Sequence, residues 1–303
     1  MSETLLRIAV VGDVHGHWNE ADVQWFNNSA LDLLLLVGDL AGYRHAGSIK
    51  VARSLAQLRL RTVWVPGNHD SAHPLQLLGE MLKNESLIRS FARGQDQRMA
   101  DIRRAAGGVE TGGYSIHTIP EADLAVVAAR PHSMGGPRLG FRPYLERAHG
   151  VASIEASTQR LKALVAGSQA TRLIFLAHNG PTGLGGSRMD PWGCDFRPSQ
   201  GDFGDPDLAQ AIAHARALGK TVLAVVAGHM HRRLKGGGIR TSFLEQDDIV
   251  YVNAAEVPRI LRNRKEGSER RHHVELRVLG HGCEARDVWV EATGPVGIPD
   301  DRH

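Results

Sequence analysis

Near-continuous apolar runs mark out the chain, and each stops at a glycine or a polar side chain. LLRIAVVGD, LDLLLLVGD and RTVWVPGNHD are the first three. Between and after them, WNEADVQWFNNS, HAGSIKVARSLAQLR and PLQLLGEMLKN mix apolar and polar positions as amphipathic helices do. Strands alternating with helices of this length predict parallel βαβ units. Runs with no internal polar alternation predict strands covered on both faces. Residues 84–123 show less order: QDQRMADIRRAAGG predicts a helix, and glycine pairs at 107–108 and 112–113 punctuate it.

The alternation then resumes. LAVVAARPHSMGG, RLIFLAHNGPTGLGG and TVLAVVAGHMH each predict a strand running into a loop. SIEASTQRLKALVAG predicts a helix with Ser153 as its N-cap. DPDLAQAIAHARALG predicts another, with Asp205 able to cap it and Pro206 in the first turn. Residues 180–205 are rich in Gly, Pro and Asp and predict a long loop, a feature that compact domains often keep for function. The last part changes character. DIVYVNAAEV, HHVELRVLG and DVWVEAT read as strands with no helices between them, which predicts an antiparallel end to a sheet. With neither an internal repeat nor a linker, residues 1–303 are expected to form a single domain, long enough to bury a substantial core.

Composition narrows the class. A net charge of +3 does not suit a dedicated nucleic-acid binder, so nucleic acid is not the expected partner. Cys194 and Cys283 lie far apart, outside any CxxC pattern, and read as free thiols in a reducing, cytoplasmic compartment. No stretch reaches the roughly 18–20 apolar residues that span a bilayer, so no membrane partner is expected. MSETLLRIAVVGD lacks a basic leader and a cleavage site and is not expected to be a signal peptide.

The chemistry gathers where the apolar runs stop. VVGDVHGH ends in Asp13 and His15, LLVGDL in Asp39, VPGNHD in Asn68 and His69, FLAHNGP in His178, and VVAGHMH in His229 and His231. A single histidine or Gly-Asp after a strand is usually a turn or a surface residue. Repetition at five strand ends is a different matter, because ligands of open α/β sheets bind just beyond the carboxyl ends of the strands. Carboxylate, amide oxygen and imidazole suit divalent Mn, Fe, Zn or Mg. Two Asp, one Asn and up to five His exceed the needs of one ion, and two ions sharing a carboxylate point to in-line phosphoester hydrolysis.

D-x-H, G-D, G-N-H-D, a later H and G-H-x-H, in this order over residues 8–231, resemble the calcineurin-like metallophosphoesterase superfamily. The resemblance implies an α/β fold, a four-layer α/β/β/α sandwich of two mixed β-sheets flanked by helices. Residues 239–293 are expected to complete the second sheet. It also implies a dinuclear centre, with manganese foremost among the metals. Asp13, His15, Asp39 and His231 would hold one ion; Asp39, as a bridge, Asn68, His178 and His229 would hold the other. His69 would donate a proton to the leaving oxygen, and Asp70 would orient and charge-stabilise its imidazole. A metal-bridging hydroxide would attack phosphorus in line, with no covalent intermediate.

GDLAGYR and GNHD stand where phosphoprotein phosphatases of the superfamily carry GDxVDRG and GNHE, and Gly42 replaces an Asp or Asn common in relatives. A small phosphorylated molecule, monoester or diester, is therefore the expected substrate rather than a phosphoprotein. AARPHSMGGP and WGCDFRP resemble a subgroup known from cyanobacteria and plants. A non-catalytic scaffold of the same fold and a nuclease stand as alternatives.

Other features are less specific. Arg130 and His132, with Arg138 and Arg142 nearby, are candidates for binding substrate phosphate. The 180–205 loop could wall the site or simply be an ordered connection. The basic stretch 262–272 reads as a charged hairpin loop. GGG at 236–238 lacks the GK[ST] of a phosphate cradle and reads as a turn. His17 lies close enough to Asp13 and His15 to support them; the remaining histidines receive no metal role.

Overall fold

Leu33, Leu34, Leu35 and Leu36 form one short strand, and all four are buried. Strand side chains alternate between faces, so this run must meet two apolar environments. Leu33 and Leu35 join Ile8, Val10, Val63 and Val126 between two sheets. Leu34 and Leu36 join Val23, Phe26, Val51, Leu55 and Ile102, which come from helices. A continuous apolar run is the sequence form of a strand inside a multilayer sandwich.

The computed structural model describes residues 4–263 and 268–293. The chain runs β1 (Thr4–Val11), α1 (Glu20–Asn27), β2 (Leu33–Leu36), α2 (His45–Leu55), β3 (Thr62–Trp64), α3 (Pro74–Leu82), α4 (Glu85–Phe91), α5 (Gln95–Ala106), β4 (Glu110–Thr111) and β5 (Ser115–Ile119). It continues with β6 (Leu124–Ala128), α6 (Arg142–His149), α7 (Ile154–Gly167), β7 (Arg172–Leu176), α8 (Pro206–Ala217) and β8 (Thr221–Ala227). It closes with β9 (Phe243–Gln246), β10 (Ile249–Asn253), β11 (Ile260–Asn263), β12 (Ser268–Leu279) and β13 (Cys283–Thr293).

In the first sheet β1, β2, β3 and β4 pair in parallel, and β12 lies antiparallel on the other side of β1. One edge of the long β12 is taken by β13, so β1 and β11 share the other. The second sheet runs β5-β6-β7-β8-β10-β9, parallel in its middle and antiparallel at both ends. Helices α1, α2 and α5 cover the outer side of the first sheet, and α7 and α8 that of the second. This is the expected α/β/β/α sandwich of two mixed sheets.

The structure corrects several local expectations. Residues 239–293 do not all complete the second sheet. β9 and β10 do, but β11, β12 and β13 join the first, because the apolar alternation of β12 is matched against β1. Helices α4 and α6 and strand β5 had no clear sequence signal. α4 buries only Ile88, and α6 only Tyr144 and Leu145, so neither has an apolar stripe to read. Ser153 does cap α7, accepting from the Ala156 N–H at 3.1 Å. Asp205 does not cap α8 with its side chain; that carboxylate instead accepts from Ser133 and pairs with Arg130. Within the basic stretch 262–272, residues 264–267 lie outside the described residues, as does His303.

A buried ionic knot ties the C-terminal strands to the loop after β1. Asp22, 1% exposed, meets Arg259 Nη1 at 2.8 Å and Arg271 Nη1 at 2.9 Å. Arg259 Nη1 also donates to the His17 carbonyl at 2.9 Å, and Arg271 to Asn19 Oδ1 at 2.8 Å. Removing the shared carboxylate leaves the buried Arg259 guanidinium without an acidic partner among the described residues and leaves Arg271 with Glu269 alone. Asp22→Ala is therefore expected to lower unfolding stability by about 3–5 kcal/mol. Urea unfolding of the variant measures this, and a loss within error of zero would contradict it.

Candidate metal centre

Five strands deliver polar groups to one rim by turning sharply at their ends. Asp13, His15, Asp39 and His229 all have positive φ, at 36°, 43°, 51° and 66°. Non-glycine residues rarely adopt this region, and such strain, about 1–3 kcal/mol each, gathers at functional sites. The backbones also approach closely. A Cβ on Gly67 would overlap Asp39 Oδ1 and lie 2.6 Å from His178 Cε1. Only glycine lets the turn after β3 slide between the residues that end β2 and β7.

The polar atoms form two groups around one carboxylate. In the first, Asp13 Oδ2 lies 3.3 Å from His231 Nε2, which is 3.2 Å from His15 Nε2. In the second, Asn68 Oδ1 lies 2.8 Å from His178 Nε2 and 2.9 Å from His229 Nδ1. Asp39 Oδ2 stands between them, 3.7 Å from His15 Nε2 and 3.6 Å from His178 Nε2. Its other oxygen accepts from the His69 N–H at 2.8 Å. The Asp13 Oδ1 atom accepts from the His229 N–H at 3.1 Å.

This arrangement lacks protons where it needs them. Asp13 Oδ2 is buried with no hydrogen bond. His178 Nδ1 is 2.6 Å from the Val37 carbonyl, which can only accept, so that nitrogen carries the hydrogen. In the neutral ring Nε2 is then a lone pair, facing another acceptor, Asn68 Oδ1. Converging acceptors of carboxylate, amide and imidazole type are what a divalent cation satisfies. Among the His, Cys, Asp and Glu side chains of the described residues, Asp13, His15 and His231 form the group whose ligand atoms meet the geometry of a shared ion. The donor set fits a metal.

The protonation states agree with that fit. Burial, together with neighbouring imidazoles, holds His15 and His69 down at about 4 and His229 at about 3. For His15 and His229 the neutral form is the one that ligates. Burial opposes ionisation of Asp13, but His231, His178 and His15 outweigh it and pull its carboxyl below the ordinary range. Burial and then the Asp13 charge push Asp39 well above that range. Burial works against a charged His231 too, yet its contact with Asp13 leaves it raised.

Several expected roles do not survive the geometry. Asp70 does not orient His69. Its carboxylate, fully buried, accepts from the Leu40 N–H and the Gly67 N–H, both at 2.9 Å. The turn closes through Asp70 N–H on Gly67 O at 3.1 Å, which points Asp70 inward while His69 faces the rim. Asp70 therefore ties the Asp39 turn to the Asn68 turn. His69 Nδ1 is buried with no hydrogen-bond partner. Arg130, 1% exposed, is held by Asp205 and Asp207, each at 2.9 Å, and has no surface to offer a substrate. His132 is fully buried as well. Arg138 pairs with Glu80, and together with Arg142 it lines a separate cavity beside α7.

The 180–205 loop is anchored to the strand ends of the rim. Trp192, 1% exposed, donates its indole N–H to Gly228 O at 3.2 Å. Arg240 donates to Asp190 O at 2.8 Å, Gly193 O at 2.6 Å and His231 O at 3.1 Å, pinning this loop to the strand end that carries His231. His17 contributes its carbonyl to the Arg259 guanidinium. The 236–238 glycines form a turn, as expected, each with positive φ. Tyr43 had no sequence signal beyond lying in the Asp39 loop; it is 66% exposed, with its ring 5.0 Å from that of His69.

A family model for calcineurin-like phosphoesterases matches residues 6–233. The chain belongs to that family, whose members are in general metal-dependent phosphoesterases with an α/β sandwich. A search of curated proteins finds no match to the chain. No helix among the described residues is long and apolar enough to cross a membrane.

The raised Asp39 carboxyl has a consequence for metal binding. A carboxyl with a raised pKa takes up its proton earlier as pH falls, and that proton competes with the metal. His231, also raised, acts in the same direction. Manganese affinity, followed by calorimetry over a pH series, is expected to fall as the solution is acidified from neutrality. An affinity that stays constant on acidification would contradict these protonation states.

Proposed function

We propose that the protein is a dinuclear metal-dependent phosphoesterase acting on a small phosphorylated molecule. The observation that supports this best is the position of Asp39 Oδ2, between His15 Nε2 at 3.7 Å and His178 Nε2 at 3.6 Å. One carboxylate is thereby shared by two donor sets. Asp13, His15 and His231 form one; Asn68, His178 and His229 form the other. Manganese heads the metals such donors suit, with Fe, Zn and Mg also compatible. Bound divalent ions supply Lewis-acid charge and an acidified water.

The remaining steps belong to the protein. His69 is the proton donor to the leaving oxygen. Its Nδ1 is buried, so Nε2 is the nitrogen left for the substrate. Delivery needs the imidazolium, which leaves a neutral ring behind; burial and neighbouring imidazoles disfavour that form here, and the negative charge of a phosphoester beside the ring would favour it. The backbone N–H of His69 meanwhile fixes Asp39. Asp70 holds both turns together from below. The two cysteines are unpaired, which favours a reducing, cytoplasmic setting. The two sheets share one core, which favours a single domain from 1 to 303.

Metal analysis and a substrate panel of aryl monoester, aryl diester, nucleotides and sugar phosphates test the reading. His69→Ala is expected to keep its metal and lose about 10²–10⁴-fold in kcat. Asp39→Ala is expected to lose both metal and turnover. Unchanged activity in both variants would sink the mechanism, and fewer than about one metal per chain would sink the dinuclear centre.

A further inference from the structure

His132 follows β6 in the second sheet and reaches the turn after β3 in the first. Its backbone N–H donates to Pro66 O at 2.8 Å, and its ring Nδ1 lies 2.7 Å from Gly67 O. The N–H of Gly67 is held in turn by Asp70 Oδ2 at 2.9 Å. Asp70 thus ties both polar groups of Gly67 from within its own turn, and His132 holds the carbonyl as well, from the opposite sheet. Gly67 is also the residue wedged against Asp39 and His178. A shift of this turn would move Asn68 and His69 together.

The second ring nitrogen of His132 is informative. A carbonyl only accepts, so Nδ1 carries the hydrogen and Nε2 is a bare lone pair in the neutral ring. That atom is buried with no hydrogen-bond partner. Around it stand the rings of Phe141 and Tyr144, with centroids at 5.5 and 5.0 Å. A buried acceptor without a partner destabilises the fold, and a phenylalanine would fill this aromatic nest without that cost. An imidazole here makes sense through its Nδ1–H bond.

We propose that His132 is a positioning residue that holds the Pro66–Gly67 turn through its Nδ1–H bond to Gly67 O, so that Asn68 and His69 project toward Asp39 and His178. The effect on metal affinity rests on the dinuclear reading; the effect on the turn does not. Groups that orient metal ligands typically govern about 10–100-fold in affinity.

Three variants separate this role from simple packing. His132→Asn places an amide N–H near the position of Nδ1, His132→Gln places one near Nε2, and His132→Phe has none. The measurements are Tm, manganese affinity by calorimetry, and amide exchange of residues 67–70 in the metal-free protein. His132→Phe is expected to match or exceed the wild-type Tm, yet to bind manganese about 10–100-fold more weakly and to exchange faster at 67–70. His132→Asn is expected to restore both properties to within a few-fold; His132→Gln is not. Wild-type manganese binding by His132→Phe would overturn the proposal. So would equal losses in His132→Asn and His132→Gln that simply follow Tm. If His132→Phe does not fold, the Asn and Gln pair decides. If the wild-type protein binds none of manganese, iron, zinc or magnesium, the dinuclear reading fails, and exchange at 67–70 alone decides: faster in Gln than in Asn upholds the role, and equal rates overturn it.

Discussion

The centre depends on how closely two strand-end turns can approach. Gly38 follows β2 and Gly67 follows β3, and a Cβ on either would overlap the other's turn: Gly38 would meet the Gly67 backbone, and Gly67 would meet Asp39. Without side chains at these positions, Asp39 and Asn68 come near enough to share one rim with His178. Hydrogen bonds then fix the approach. Asp70 joins the two turns from beneath through Leu40 and Gly67, and the His69 N–H joins them from above through Asp39.

Close approach concentrates acceptors, and burial makes that concentration costly. Two carboxylates and several imidazoles lose water together, so their protonation states separate. Asp13 stays ionised among imidazoles, Asp39 resists ionisation, and most rings are driven neutral. The electrostatics of the metal-free centre are unsatisfied in the specific way that divalent cations relieve. The left-handed backbone at Asp13, His15, Asp39 and His229 belongs to the same compromise. Supporting contacts from outside the rim hold it in place, including the Asp22 knot behind His17 and the Arg240 bonds behind His231.

Asp70 and Gly42 show how a familiar motif can be put to different use. In G-N-H-D the last residue looks like the natural partner of the histidine, yet it faces the backbone. Gly42 has open space around it and offers no carboxylate. His69 is therefore flanked by rings, those of His15 and Tyr43, rather than by an acid. The exposed Tyr43 ring is a feature of this rim that the ordered motifs do not describe.

Much of this was legible from the order of residues. Apolar runs ending in Gly-Asp, Gly-Asn or Gly-His identify parallel strands and the ligands beyond them, because a strand's burial and its terminal turn are local properties. The eight side chains at those strand ends follow from that pattern, the resemblance sets His69 apart from seven ligands, and the family match agrees with the superfamily. Pairing across the molecule is another matter. Whether Arg130 meets a substrate or Asp205 and Asp207, whether His132 meets solvent or Gly67, and which sheet receives β12 depend on residues far apart in the chain. An arginine or histidine reads the same in sequence whether its charge or proton is spent inside or offered outside. Only the packing of the two sheets brings its partner, and so its role, into place.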